Sequence, residues 1–158
     1  MGQKLNKKKQ KTPKVAESFV SADRKPRYEN NPENNYRKKP SWNVGLLDTQ
    51  CEWSFCKISS MNIILDILEK LKNFESMTWQ DILKASGGRT YGNNNHEVQI
   101  EKLIPQARKR LKEIEQNDIS SLFSLRLTGT QRIWGILDGA VLKIIWYDEN
   151  HEVCPSIK

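Results

Sequence analysis

Between residues 122 and 148 apolar and polar positions alternate in three runs. The runs are 122–128, 132–137 and 140–148, separated by Gly129-Thr130-Gln131 and by Asp138-Gly139. Period-two alternation rich in β-branched and aromatic residues, broken by glycine turns, predicts three antiparallel strands. Taking Asp138 and Gly139 as a two-residue hairpin loop sets Leu137 opposite Ala140, Trp134 opposite Lys143 and Ile133 opposite Ile144. One face of this hairpin then carries Ile133, Gly135, Leu137, Ala140, Leu142, Ile144 and Trp146, an apolar set that belongs against a core. The other carries Arg132, Trp134, Ile136, Val141, Lys143, Ile145 and Tyr147. The first run joins through a loop of about three residues, which buries Phe123, Leu125 and Leu127. A loop of Gly129-Thr130 alone would instead push Arg126 into the core, where an unpaired charge is costly. The chosen register aligns Arg126, Trp134 and Lys143 on the outer face.

Upstream the period changes. Ile63, Ile64, Ile67, Leu68 and Leu71 recur at helical spacing, predicting a helix over 61–74 behind a Ser59 or Ser60 cap. Thr78 caps a shorter helix over 79–84 that Gly87-Gly88 ends. Residues 87–95 read as a loop. His96 opens a long helical pattern to about residue 116, with Pro105 forcing a kink or a junction of two helices. Residues 52–58 alternate well enough for a short edge strand, and the folded domain is expected to begin at Ser41.

Composition changes the picture at the N-terminal end. Residues 1–40 hold 12 Lys+Arg against 4 Asp+Glu, whereas residues 41–158 hold 14 against 15, so the net charge of +7 resides in the first stretch. Its lysines, among them Lys7, Lys8 and Lys9, stand among Asn, Gln and Pro with few apolar residues, which predicts a disordered basic tail over 1–40 and one domain over 41–158. A polybasic arm suits nucleic acid or a ribosome surface, or simply solubilises. No apolar run of about 18 residues predicts a membrane span, and no apolar segment backs the basic start as in a secretory signal, so the expected location is cytoplasmic. Cys51, Cys56 and Cys154 are odd in number and lack ligand spacing, and read as reduced thiols. No phosphate loop, dinucleotide fingerprint or carboxylate cluster is present, so neither a metal nor a cofactor is expected.

The outer strand face suggests the chemistry. Guanidinium forks bind phosphates and aromatic rings stack on unpaired bases, so Arg126, Arg132, Lys143, Trp134 and Tyr147 suit a polyanion, although a one-sided sheet also has a solvated outer face as a matter of course. Arg108, Lys109 and Arg110 form a second basic cluster, either a solvated helix surface or an extension of a nucleic-acid footprint. Metal-free RNA cleavage needs a base, cations at the scissile phosphate and an acid. The cations would be Arg126, Arg132 and Lys143, with Tyr147 and His151 at the end of the last strand as proton-transfer or orienting groups.

The Leu-Phe-Ser-Leu-Arg-Leu-Thr-Gly opening at 122–129, the Arg-Ile-Trp-Gly at 132–135 and the Trp-Tyr-Asp-Glu-Asn-His-Glu-Val at 146–153 resemble the RelE/ParE superfamily of bacterial toxins, in particular its ParE-like branch. The likeness spans roughly residues 50–156, and the helices match in order only. It implies an α+β fold in which an N-terminal strand and helices pack on one face of a C-terminal three- to four-stranded antiparallel sheet. It further implies a toxin of a toxin–antitoxin module acting as a metal-independent endoribonuclease on mRNA, at the ribosome, with a cognate antitoxin as partner laid over Trp134, Ile136 and Ile145. By position it implicates Arg126, Arg132, Lys143, Tyr147 and His151. The superfamily also contains gyrase poisons and members without established activity, so a non-catalytic inhibitor or an inactive orphan is the alternative.

Overall fold

A computed structural model of the chain describes residues 32–85 and 94–156. Its centre is a five-stranded mixed sheet in the order β1-β5-β4-β3-β2, formed by β1 (Ser41–Asn43), β2 (His96–Gln99), β3 (Ser121–Arg126), β4 (Arg132–Asp138) and β5 (Val141–Asp148). All neighbours are antiparallel except β1, which runs parallel to β5 and pairs Ser41 with Val141. The α+β class stands, but the sheet has more strands than expected and one parallel edge. It is also covered on both faces. On the first, α2 (Met61–Glu75) and α3 (Trp79–Lys84) supply Ile67, Leu71, Trp79 and Ile82 against Phe123, Leu125, Leu127, Ile133, Leu142 and Ile144. On the second, α4 (Pro105–Glu113), with Trp53 and Val153, packs Ala107 and Leu111 against Leu122, Trp134, Ile145 and Trp146. A short helix, α1 (Pro32–Tyr36), precedes β1 within the stretch read as tail, and the Lys38 carbonyl accepts a hydrogen bond from the Trp79 backbone N–H at 3.0 Å.

Both predicted helices of the first layer form: α2 on its apolar stripe, with Ser60 at the N-cap position but without a side-chain cap bond, and α3 on its cap. Thr78 and Asp81 make a reciprocal capping box at the start of α3: the Thr78 hydroxyl accepts from the Asp81 N–H and the Asp81 carboxylate accepts from the Thr78 N–H. Two other expectations are corrected. Residues 52–58 contain a 3-10 turn at Phe55–Lys57, which Ser54 caps through its hydroxyl, and no strand. The long helix from His96 does not exist. His96–Gln99 is a strand, Ile100–Lys102 a 3-10 turn, and α4 starts at Pro105, because proline at the first helical position lacks only an N–H that would have had no partner there. What reads as a kink in one helix is the beginning of another.

The hairpin register also differs, and its consequences reach the functional site. Gly139 and Ala140 form the loop, with Gly139 at φ 62°, and Asp138 pairs with Val141. Leu137 then faces Leu142 and Gly135 faces Ile144, but Trp134 faces Trp146, so Ile145 is an extra residue opposite the Trp134–Gly135 step. This β-bulge sends both Ile145 and Trp146 to the second face and reverses the alternation after them: Tyr147 enters the first core and Asp148 lies on the second face. Arg126 pairs with Arg132 and Ser124 with Trp134, two residues from the expected alignment, so the faces of β3 are as predicted while its neighbours are not.

Gly135 is what permits the bulge. A Cβ at this position would lie 2.3 Å from the Lys143 carbonyl oxygen and 3.0 Å from its carbonyl carbon, backbone atoms that cannot rotate away. Gly135→Ala is therefore expected to destabilise the fold by about 3 kcal/mol, the upper part of the ordinary range for overpacking. Urea unfolding would show it as a lowered midpoint at constant slope; an unchanged midpoint would mean that the strands can separate without loss.

Candidate functional site

The end of the sheet where β3 turns into β4 gathers the chain's most reactive groups on the second face. Side chains two residues apart on a strand share a face, and paired residues on adjacent strands share it too. The pairing therefore builds two rows. One runs His96, Ser124, Trp134, Trp146 across β2 to β5; the next runs Arg126, Arg132, Asp148 across β3 to β5. Trp134 and Trp146 form the buried floor, and the second row forms the rim.

The two guanidinium groups are fixed by main-chain and amide oxygens. Arg126 donates from Nε to the Thr128 carbonyl at 2.8 Å and from Nη1 to Asn94 Oδ1 at 2.6 Å, while its own backbone N–H donates to Asn95 Oδ1 at 2.8 Å. Arg132, only 7% exposed, donates to the carbonyls of Thr128 and Gln131 at 3.0 Å and of Gly129 at 3.3 Å. The 127–131 loop is thus folded around its two flanking arginines. Each guanidinium carries five N–H donors, so these bonds use two on Arg126 and three on Arg132, and both heads stay anchored while donors remain for an anion.

Asp148 completes the corner from β5. Its carboxylate is fully buried and accepts from Trp134 Nε1 at 3.2 Å, from the Val153 N–H at 3.0 Å and from the Glu152 N–H at 2.9 Å. Those two backbone bonds turn the chain back immediately after β5 and seat His151 at the corner, with a left-handed backbone at φ 60° that is uncommon outside glycine. Burial first, then the charges of Arg132, Arg126 and His96, lower the His151 pKa below the usual histidine range; Asp148 opposes them. The cationic form of the imidazole is thereby disfavoured. The Arg132 guanidinium is shifted downward too, by burial and then by Arg126, against the pull of Asp148.

Of the five residues expected to carry catalysis, Arg126, Arg132 and His151 meet here and two do not. Lys143 lies on the same face but five residues back along β5, roughly 16 Å at about 3.3 Å per residue, and is bound to Asp138 at 2.7 Å. Tyr147 is buried at 3% exposure on the opposite face, against Phe55, because the bulge reverses its direction. Burial, followed by the charges of Glu149, Asp148 and Asp66, pushes its phenol up to about 12, so it is a poor proton-transfer group. Trp134, expected on an open face for base stacking, is 1% exposed and part of the second core, as is Ile145. Neither can form part of a partner's landing surface in this fold.

The second basic cluster also divides. Arg108 and Lys109 are exposed, and Lys109 makes only a loose contact with Glu113 at 3.8 Å. Arg110 turns inward: its Nε and Nη2 hold the two oxygens of buried Asp48 at 2.7 Å each, and its Nη1 donates to Glu113 at 2.9 Å. It fastens α4 to the sheet and is not available as a nucleic-acid contact. Lys7, Lys8 and Lys9 lie outside the described residues, as does most of the 87–95 loop. Among the described residues no three His, Cys, Asp or Glu side chains converge to hold a metal ion, and no helix is long and apolar enough to cross a membrane.

Sequence reasoning missed Asp148, Asn94 and Asn95 as site residues, and set His96 aside as a helix start. Asp148 was detectable in principle, as an acid two residues beyond the last tryptophan and just before an Asn-His turn. Comparison with protein-family models, with curated proteins and with solved structures finds no match to this chain.

Proposed function

We propose that the protein binds RNA at the Arg126, Arg132 and His151 corner and cleaves its backbone without a metal, as the toxin component of a bacterial toxin–antitoxin module of RelE/ParE type. The observation that carries this reading is the convergence of two anchored guanidinium groups with an imidazole whose pKa is lowered by burial and then by their charge. The arginines hold the scissile phosphate and stabilise the charge that develops on it; neutral His151 takes the proton of the attacking ribose 2′-hydroxyl. What supports the lineage is a strand followed by two helices and, after the interposed β2 and α4, the antiparallel β3-β4-β5 run, together with the strand motifs. The working surface is a corner at the end of the sheet, since both broad faces are covered.

An antitoxin would have to bind elsewhere than over Trp134. Met61, Leu65 and Leu68, each more than half exposed, form an apolar stripe along α2 of the kind that marks contact surfaces.

The test uses purified full-length protein, end-labelled RNA and DNA of the same sequence, naked or on programmed ribosomes, with a chelator present. RNA alone is cut, and Arg126→Ala/Arg132→Ala abolishes cutting. Activity is retained above the lowered His151 pKa and falls on acidification, with a midpoint below the ordinary histidine value of about 6.5, since the base must be neutral. Intact RNA that is nonetheless bound through both arginines would instead establish a non-catalytic inhibitor. That second reading draws on Arg132, whose donors largely serve the 127–131 loop.

A further inference from the structure

The chain has two histidines, and both arrive at this corner although they are remote in sequence. His96 is on β2, the outer strand of the sheet; its Cα partner is Ser124, and Ser124 in turn pairs with Trp134, one row from Arg126 and Arg132 on the same face. His96 is exposed, whereas Ser124 beside it is buried. Residues immediately before it contribute to the same rim, Asn94 and Asn95 through their bonds to Arg126. The strand order β2, β3, β4, β5 therefore places His96 on β2, one row in from the rim, and then, along the rim itself, Arg126, Arg132 and Asp148 with the turn that bears His151. The two imidazoles flank the guanidinium pair from opposite sides. Three strand spacings of about 4.8 Å separate β2 from β5.

We infer that His96 is the second proton-transfer group of this site, the general acid that protonates the departing 5′-oxygen of the RNA chain. The inference rests on the RNA-cleaving reading above and specifies its reaction. His151 removes the proton from the 2′-hydroxyl; the 2′-oxygen attacks phosphorus, forming the O2′–P bond as the P–O5′ bond breaks with its electron pair going to the 5′-oxygen. His96 gives that oxygen a proton. One histidine has gained a proton and the other has lost one, and the products are a 2′,3′-cyclic phosphate and a 5′-hydroxyl end. Attacking and leaving oxygens stand on opposite sides of the phosphorus, so base and acid must do so too, and the two sides of the guanidinium pair supply that arrangement.

The experiment compares an ordinary RNA oligonucleotide with one whose scissile 5′-oxygen is replaced by sulfur, a leaving group that departs without protonation. Wild type, His96→Ala, His96→Asn and His151→Ala are assayed on both, after circular dichroism confirms that each is folded. Loss of the acid is expected to slow cleavage of ordinary RNA by about a hundredfold or more, and the sulfur-containing substrate should restore His96→Ala to near the wild-type rate while leaving His151→Ala slow. Equal loss of both substrates in the His96 variants would assign His96 to binding or folding and overturn the inference, as would an unaffected rate. Failure of the wild type to cut either RNA would remove the ribonuclease reading itself, an outcome distinct from a His96-specific failure.

Discussion

Asp48→Ala is expected to cost about 3–5 kcal/mol, the range for removing one partner of a buried ion pair. Asp48 is the point at which three elements of the second layer meet. Its two oxygens receive the Arg110 fork from α4, Trp146 Nε1 from β5 at 3.1 Å and the Gln50 N–H at 3.0 Å, and its side chain is 1% exposed. Removing it leaves the half-buried Arg110 with Glu113 as its remaining ion-pair partner and strips a buried indole N–H of its acceptor. Arg110 holds the Asp48 carboxyl well below the usual carboxylate range, helped by the Gln50 and Trp146 donors and opposed by burial. The sign of the pH dependence follows. A carboxyl whose pKa is lower in the folded state contributes fully above its unfolded value of about 3.9 and loses that contribution as pH falls below it. Urea midpoints measured between neutrality and acid should therefore fall for the wild type below about pH 4, and Asp48→Asn should lose that part of the dependence while being destabilised throughout. A wild-type midpoint indifferent to acid would remove the ion pair as the principal tie between α4 and the sheet.

The contrast between what the sequence disclosed and what it concealed is a contrast between local and non-local causes. Helices α2 and α3 were legible because stripe and cap lie within a few residues of one another, with Ile67, Leu71, Thr78 and Asp81 all acting locally. Strands β3, β4 and β5 were legible from alternation. The outer face was not, because the same alternation describes a strand with one wet face and a strand with two dry ones when the second face is built from amphipathic residues. Trp134 reads as outward-facing beside Arg132, yet its ring is covered and its N–H satisfied by Asp148. Tyr147 was misdirected by a bulge whose local sign was a single glycine, Gly135, and whose cause is a pairing across β4 and β5. Pro105 concealed β2: without the pairing of Val98 to Leu122, the apolar spacing around it fits one kinked helix. Arg126, Arg132 and His151 come together because they flank one turn and one strand end of the same face, whereas Lys143 shares that face but is separated from them by most of the length of a strand.

Asp148→Asn should carry the second largest effect, and it separates stability from chemistry. The substitution keeps the shape but replaces one acceptor oxygen by a donor. The carboxylate receives three donors through two oxygens, Trp134 Nε1 and the Val153 N–H on one and the Glu152 N–H on the other. At least one buried N–H is then opposed by another N–H, and at about 1–3 kcal/mol for each unsatisfied donor the loss should be about 3 kcal/mol. The electrostatic consequence is independent of that loss. Asp148 is the group that raises the His151 pKa against burial and against Arg132, Arg126 and His96. Neutralising it leaves the cationic corner without that counter-charge, so the His151 pKa should fall further, and the acid limb of RNA cleavage should move down with it. Two histidines make this readable by NMR, with His96→Ala assigning the signals. If the His151 resonance titrates at the same pH with and without the Asp148 charge, the turn does not bring the imidazole over the arginines, and the proposed base is the wrong residue. If it moves down while the folded fraction is kept high at low temperature, the same carboxylate both folds the turn and sets how far His151 resists protonation beside two guanidinium groups.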